Sequence, residues 1–183
     1  MTDFLPGGNR RIDRVLAPDF VTALGQLPMP ELRGRRAEAE QEEVDLSFLR
    51  RLLHGRIDIV RAELRRRTGS PDDSLVDHLA EVLAENLAGQ AHGLGRHTAV
   101  EPSRVDTHRR RVERLVADVD MTNLGQRTDE ELQRALEAYL TEERGVSTQR
   151  RAVQAVMDQC SAEIARRYRD GEADVSALLE ERP

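Results

Sequence analysis

Residues 42–67 read EEVDLSFLRRLLHGRIDIVRAELRRR, and residues 142–167 read EERGVSTQRRAVQAVMDQCSAEIARR. Slid by 100 residues, the second stretch repeats Glu42, Glu43, Ser47, Arg50, Arg51, Asp58, Ala62, Glu63, Arg66 and Arg67 of the first. The register holds without a gap back to Thr22, Leu24, Gly25 and Gln26, which match Thr122, Leu124, Gly125 and Gln126. Glu31 and Leu32 match Glu131 and Leu132 on the way. That makes 16 identities in 46 positions, where a composition this biased gives roughly four by chance. The chain therefore contains an internal repeat.

The matched residues are unusual in kind. Two helices that merely share a core match at apolar positions, whereas these match mainly at Glu, Ser, Arg and Asp. The apolar positions drift instead: Leu46, Leu53, Ile57 and Val60 become Val146, Val153, Met157 and Cys160. Glu43, Ser47, Arg50, His54 and Asp58 are spaced 4, 3, 4 and 4 apart. At ~100° per residue they fall within an arc of roughly 80° on one helix, a stripe ~22 Å long. Glu143, Ser147, Arg150, Gln154 and Asp158 repeat the stripe. Leu46, Leu49, Leu53, Ile57, Val60 and Leu64 run directly beside the first stripe. Two such helices can pair through their apolar faces, and their polar stripes then line one groove.

The surrounding sequence sets the bounds of these helices. The first starts near Pro30, where Glu31 suits the positive end of the helix dipole, and stops at Gly69. Gly34 and Gly55 weaken it locally. The second starts at Thr128, which forms a capping box with Glu131, and runs to about Asp170 before Gly171. Between them, Ser70 and Pro71 open a shorter helix whose face is Leu75, Val76, Leu79, Val82, Leu83 and Leu87. A glycine-containing loop follows from Gln90 to Pro102, and then a basic stretch from Arg104 to Val119. Residues 1–20 read as an irregular segment with a docking role, and 171–183 as a loose acidic tail. The expected architecture is all-α: a long, antiparallel two-helix coiled coil over residues 21–170, with shorter connecting helices and a duplicated motif.

Composition narrows the function. Of 183 residues, 38% are hydrophobic and 34% charged, with no Trp and three Phe. Such a thin core and charged surface suit long amphipathic helices. All 28 basic residues are Arg, yet the net charge is −6, which argues against general nucleic-acid binding. Arg104, Arg109, Arg110, Arg111 and Arg114 could reach DNA, but a basic helix in an acidic chain more often faces a partner or solvent. Cys160 has no second cysteine to pair with and reads as a small apolar residue. No apolar run approaches the ~18 residues of a membrane span, and no signal-peptide pattern opens the chain; a cytoplasmic location is expected. His92 and His97 lack Cys or carboxylates at metal spacing, so no metal is expected. Glu43 and Asp58 sit ~22 Å apart along one helix, too far for paired acid–base work, and no glycine-rich phosphate loop is present. The chain reads as a regulator rather than an enzyme.

The stripes suggest a ligand chemistry. Arg donates bidentately to the O6/N7 edge of guanine or to phosphate, and Asp or Glu accepts from guanine N–H groups. Ser, Gln and His donate or accept. Two copies of one stripe suit a ligand with its own two-fold symmetry. The double pattern Glu-x3-Ser-x2-Arg-x3-Gln-x3-Asp resembles that of the RsiG family of actinobacterial anti-sigma factors, as does SFLRRLLHGRIDIVRAEL over Ser47 to Leu64. The second copy matches at all five positions, and the first carries His54 in place of Gln. The resemblance implies a coiled coil that binds a cyclic di-GMP dimer, one nucleotide mainly per motif, at Glu43, Ser47, Arg50, His54, Asp58, Glu143, Ser147, Arg150, Gln154 and Asp158. It also implies sequestration of the sporulation sigma factor WhiG by the loaded protein. Neutral His offers one donor and one acceptor, close to what Gln offers. The alternative is a constitutive coiled-coil adaptor or scaffold whose charged stripes only fix register.

Overall fold

Seven-residue spacing organises both long helices. In the computed structural model, which describes residues 5, 7–69, 103–104, 110, 114 and 121–172, the chain is all-helical, with no strand among those residues. Helices α1 (Arg11–Val15), α2 (Pro18–Val21), α3 (Met29–Arg67) and α4 (Asp129–Arg169) are accompanied by 3-10 turns at Leu24–Gln26 and Met121–Gln126. Along α3, Leu32, Ala39, Leu46, Leu53 and Val60 are buried; along α4, Leu132, Tyr139, Val146, Val153 and Cys160 are. This is the heptad of a packed helix pair. Burial raises the Cys160 thiol pKa, consistent with a small core residue.

The ends of α3 and α4 follow local chemistry. The α4 N-terminus is the expected capping box: the Glu131 N–H donates to Thr128 Oγ1 at 3.2 Å, and the Thr128 N–H donates to Glu131 Oε2 at 2.8 Å. Its C-terminus closes as a Schellman turn, with the Glu172 N–H on the Arg167 carbonyl at 2.9 Å and Gly171 at φ +72°. Gly69, at φ +75°, follows the end of α3.

The described residues form two compact units, each drawing on both long helices. The first unit holds α1, α2, the first part of α3 to Phe48, residues 103–104, and α4 from Gly145. There the helices run antiparallel: Arg33 Nη2 donates to Tyr168 Oη (2.5 Å), Arg36 Nε to Ser161 Oγ (3.1 Å) and Arg150 Nε to Glu43 Oε1 (2.7 Å). The second unit holds α3 from Leu49, the Met121–Gln126 turn and α4 to Arg144. It is antiparallel as well, with His54 beside Glu143 and Arg67 beside Asp129.

The N-terminal segment differs from expectation. Arg11–Val15 and Pro18–Val21 are helical rather than irregular, and Ile12, Val15 and Phe20 are buried. Asp13 is fully buried and accepts from Arg10 Nε (2.7 Å), Arg10 Nη2 (2.6 Å) and the Leu5 N–H (2.9 Å). Pro18 occupies the first turn of α2, where a missing N–H costs nothing. Helix α1 is fastened to α3 by Arg11, whose Nε donates to Glu42 (2.7 Å) and whose Nη2 donates to Asp45. Asp45, fully buried, also accepts the N–H and hydroxyl of Ser103, each at 2.7 Å. These partners offset the cost of burying a carboxylate. The repeat in fact reaches back into this segment: Arg10, Arg11, Arg14 and Ala17 match Arg110, Arg111, Arg114 and Ala117.

The expected helix opened by Ser70 and Pro71, the loop from Gln90 to Pro102 with His92 and His97, most of the basic stretch 104–119, and the tail beyond Glu172 lie outside the described residues.

Candidate functional site

The polar stripes meet each other rather than standing apart. In the first unit, Glu43 Oε1 accepts from Arg150 Nε (2.7 Å), Ser47 Oγ (2.9 Å) and Gln154 Nε2 (3.3 Å), while Arg150 Nε also reaches Ser47 Oγ at 2.7 Å. Asp158 lies one turn beyond Gln154 on the same face, exposed. Glu43 and Ser47 come from the first motif; Arg150, Gln154 and Asp158 come from the second. The cluster is thus composite, a complete set of the five residue types assembled from half of each motif.

The second unit makes the reciprocal choice. His54 Nε2 lies 3.2 Å from Glu143 Oε1, with Arg50 and Asp58 on the same α3 stripe. His54 takes the place that Gln154 holds against Glu43, so the one departure from the motif keeps the contact. Arg50 differs from Arg150. Its Nε is buried and has no hydrogen-bond partner, whereas Arg150 Nε has two. Asp58 and Asp158 have no hydrogen-bond partner among the described residues, and Asp58 is half-buried. Ser147, half-buried on α4, belongs to the first unit.

Each unit also repeats a structural contact. Arg167 donates from Nη1 to the Leu27 carbonyl (2.7 Å), from Nη2 to the Leu24 carbonyl (2.8 Å) and from Nε to Glu163 (2.8 Å). Arg67 does the same to the Arg127 carbonyl (2.6 Å), the Leu124 carbonyl (2.7 Å) and Glu63 (2.7 Å). The repeated Leu-Gly-Gln turn and the repeated Glu-x2-Arg-Arg thus belong to one clasp. The guanidinium groups satisfy turn carbonyls, which places them in the architecture and away from the polar clusters. Glu163 is held at about 2, first by the hydrogen bond from Arg166 and then by Arg167. Glu63 is held at about 2 in the same way by Arg66 and Arg67.

The RsiG-like family matches residues 18–83 and, a second time, residues 118–182. The chain belongs to the RsiG-like family. No curated protein matches it. The two RsiG-like matches start 100 residues apart, the displacement of the repeat, and each contains one polar motif and one clasp arginine. The family is one of anti-sigma factors, so membership gives the chain a regulatory role and a sigma-factor partner. Among the described residues of this RsiG-like chain, no helix is long and apolar enough to cross a membrane.

The order in which side chains meet was not visible along either helix. Spacing within one helix puts the ten residues on two stripes and is silent on which motif half faces which. The clasp pairs were equally visible as identities, but their target is a set of backbone carbonyls, which leave no residue-type signature. Chemically, each stripe offers a guanidinium fork, carboxylate acceptors and a side chain, Gln154 or His54, that can donate or accept. In a cleft of about 860 Å³ elsewhere in the first unit, Phe20, Arg35 and Glu38 line the wall and no motif residue takes part.

Proposed function

We propose that this chain is a cyclic di-GMP-responsive anti-sigma factor of the cytoplasm that sequesters a WhiG-type sporulation sigma factor. The observation that carries the reading is the meeting of the two stripes at both places, Glu43 with Arg150 and Gln154, and Glu143 with His54. A two-fold ligand presents the same groups twice. The guanine O6/N7 edge suits Arg50 or Arg150, the guanine N–H groups suit Glu43, Glu143, Asp58 and Asp158, and phosphate oxygens suit the remaining guanidinium edges. Ser47, Ser147, Gln154 and His54 supply adaptable donors and acceptors. Family membership supports the sigma-factor half of the reading; the chemistry of the clusters supports the nucleotide half.

Ligand control follows from charge. Each stripe carries two carboxylates, and like charges brought together on neighbouring helices repel unless a cation is placed between them. A bound nucleotide adds phosphate for the arginines and N–H donors for the carboxylates, fixing the side chains in one arrangement. If the sigma factor recognises that arrangement, it must tighten nucleotide binding by the same factor by which nucleotide tightens its own. The test is capture of the sigma factor by the purified chain with and without saturating cyclic di-GMP. Capture raised at least tenfold, about 1.4 kcal/mol of coupling, is the expected result. Equal capture in both conditions would favour the adaptor reading, to which the hydrogen bonds among Glu43, Ser47, Arg150 and Gln154 lend some weight, because they fix register without a ligand.

A further inference from the structure

Five residues on from each buried heptad residue, a helix has turned its side chain ~140° away from the seam. Along α3 these outward positions are Ala37, Val44, Arg51, Asp58 and Arg65; along α4 they are Glu137, Arg144, Arg151, Asp158 and Ala165. The seam does not dictate their identity, and three of the five change between the copies. The two that stay are Arg51 with Arg151 and Asp58 with Asp158. The aspartates belong to the polar stripes. The arginines belong to neither the stripes nor the clasps. Both are exposed, and neither has a hydrogen-bond or ion-pair partner among the described residues. An arginine kept in both copies where the fold makes no use of it points to a group outside the fold.

Helical geometry puts each of these arginines at the outer edge of its stripe. Arg51 lies within ~20° of Asp58 and two turns before it, ~10 Å along the axis, and Arg151 stands in the same relation to Asp158. Each stripe has two carboxylates and one motif arginine, Arg50 or Arg150, and therefore a surplus of negative charge. In the first unit Arg150 already donates to Glu43 and Ser47. An anionic phosphodiester entering such a stripe is repelled unless a further cation meets it. We infer that Arg51 and Arg151 are phosphate-binding residues, a second arginine beside each motif that takes the phosphodiester edge of the nucleotide while the motif arginine takes guanine. This rests on the nucleotide reading of the stripes and extends the site by one residue in each unit. An exposed guanidinium fork without a partner can bond two phosphate oxygens at once, and it brings each stripe to neutrality before the ligand arrives.

Calorimetry with cyclic di-GMP at low and high salt decides the matter, comparing the full chain with its Arg51→Gln/Arg151→Gln and Arg51→Lys/Arg151→Lys variants. Both positions are exposed, so helix content by circular dichroism should be the same in all three. Glutamine at both positions should weaken binding about tenfold and lessen the loss of affinity with salt, because fewer charges are left to screen. Lysine keeps the charge without the fork and should fall in between. If the glutamine variant binds with the parent's affinity and salt dependence, the phosphate role is overturned and the nucleotide reading stands. If that variant then also captures less sigma factor at saturating ligand, the two arginines belong to the partner's docking surface instead. A parent chain that gives no heat of binding would end the nucleotide reading, and the phosphate contact with it.

Discussion

Glu43 accepts hydrogen bonds from Ser47 on its own helix and from Arg150 and Gln154 on the other. The spacing 4, 3, 4, 4 puts all ten polar residues on two stripes, and in the structure Glu43, Ser47, His54, Glu143, Arg150 and Gln154 meet across α3 and α4. It did not place Glu43 with Arg150, because that pairing depends on the register of an antiparallel helix pair, which no single helix encodes. The pairing has a testable signature. Arg50→Ala and Arg150→Ala should each weaken cyclic di-GMP binding by ~1–3 kcal/mol, the worth of a bidentate Arg–guanine contact. Helix content should stay unchanged, since neither side chain belongs to the buried heptad positions. Glu43→Gln combined with Arg150→Ala should be non-additive in calorimetry, because the two residues touch, while Glu143→Gln combined with Arg150→Ala should be close to additive. The reverse pattern, additivity for Glu43 with Arg150 and coupling for Glu143 with Arg150, would mean that the motif halves work within one helix after all. His54→Gln should retain binding, because Gln154 already makes the equivalent contact to Glu43 in the other unit.

At the level of elements, the long helices were legible almost to the residue. Gly69, Gly171 and the Thr128–Glu131 box are strong stop and start signals, and α3 and α4 span Met29–Arg67 and Asp129–Arg169. Helices α1 and α2 were not legible, because five and four residues are too few to show a 3.6-residue period. The signal that would have found them is the extension of the repeat to Arg10 and Arg110. The clasps at Arg67 and Arg167 tie each 3-10 turn to the end of a long helix, and their carboxylates make them sensitive to acid. Glu63 and Glu163 lie at about 2 instead of their ordinary 4.5, and Asp13 at about 2 instead of 3.8, held down chiefly by its hydrogen bond from Arg10. A carboxylate with a depressed folded-state pKa contributes stability above its unfolded pKa, and that stability is lost as pH falls through the folded value. Thermal unfolding followed by circular dichroism should therefore be nearly flat from neutrality to about pH 5, and Tm should fall steeply between about pH 4.5 and 2. A Tm that holds constant to pH 2 would show that these ion pairs do not fasten the turns.

For the whole molecule, the repeat is the fact from which the rest follows. One motif, copied at a displacement of 100 residues and set on two antiparallel helices, yields two units in which each polar cluster borrows from both copies. The clasps account for the repeated Glu63, Arg66 and Arg67, but a purely structural coiled coil has no need to repeat Glu43, Ser47, Arg50 and Asp58 while its apolar positions drift from Leu53 to Val153 and from Val60 to Cys160. A site for a two-fold ligand does, because both halves of the ligand ask for the same donors and acceptors. The sigma-factor surface is a separate matter, and nothing in the motif spacing could have located it. The most direct measurement is calorimetric titration of the full chain with cyclic di-GMP. Two nucleotides bound per chain, with both lost when Arg50 and Arg150 are changed to Ala together, is the expected result. A folded, helical chain that gives no heat of binding would contradict it.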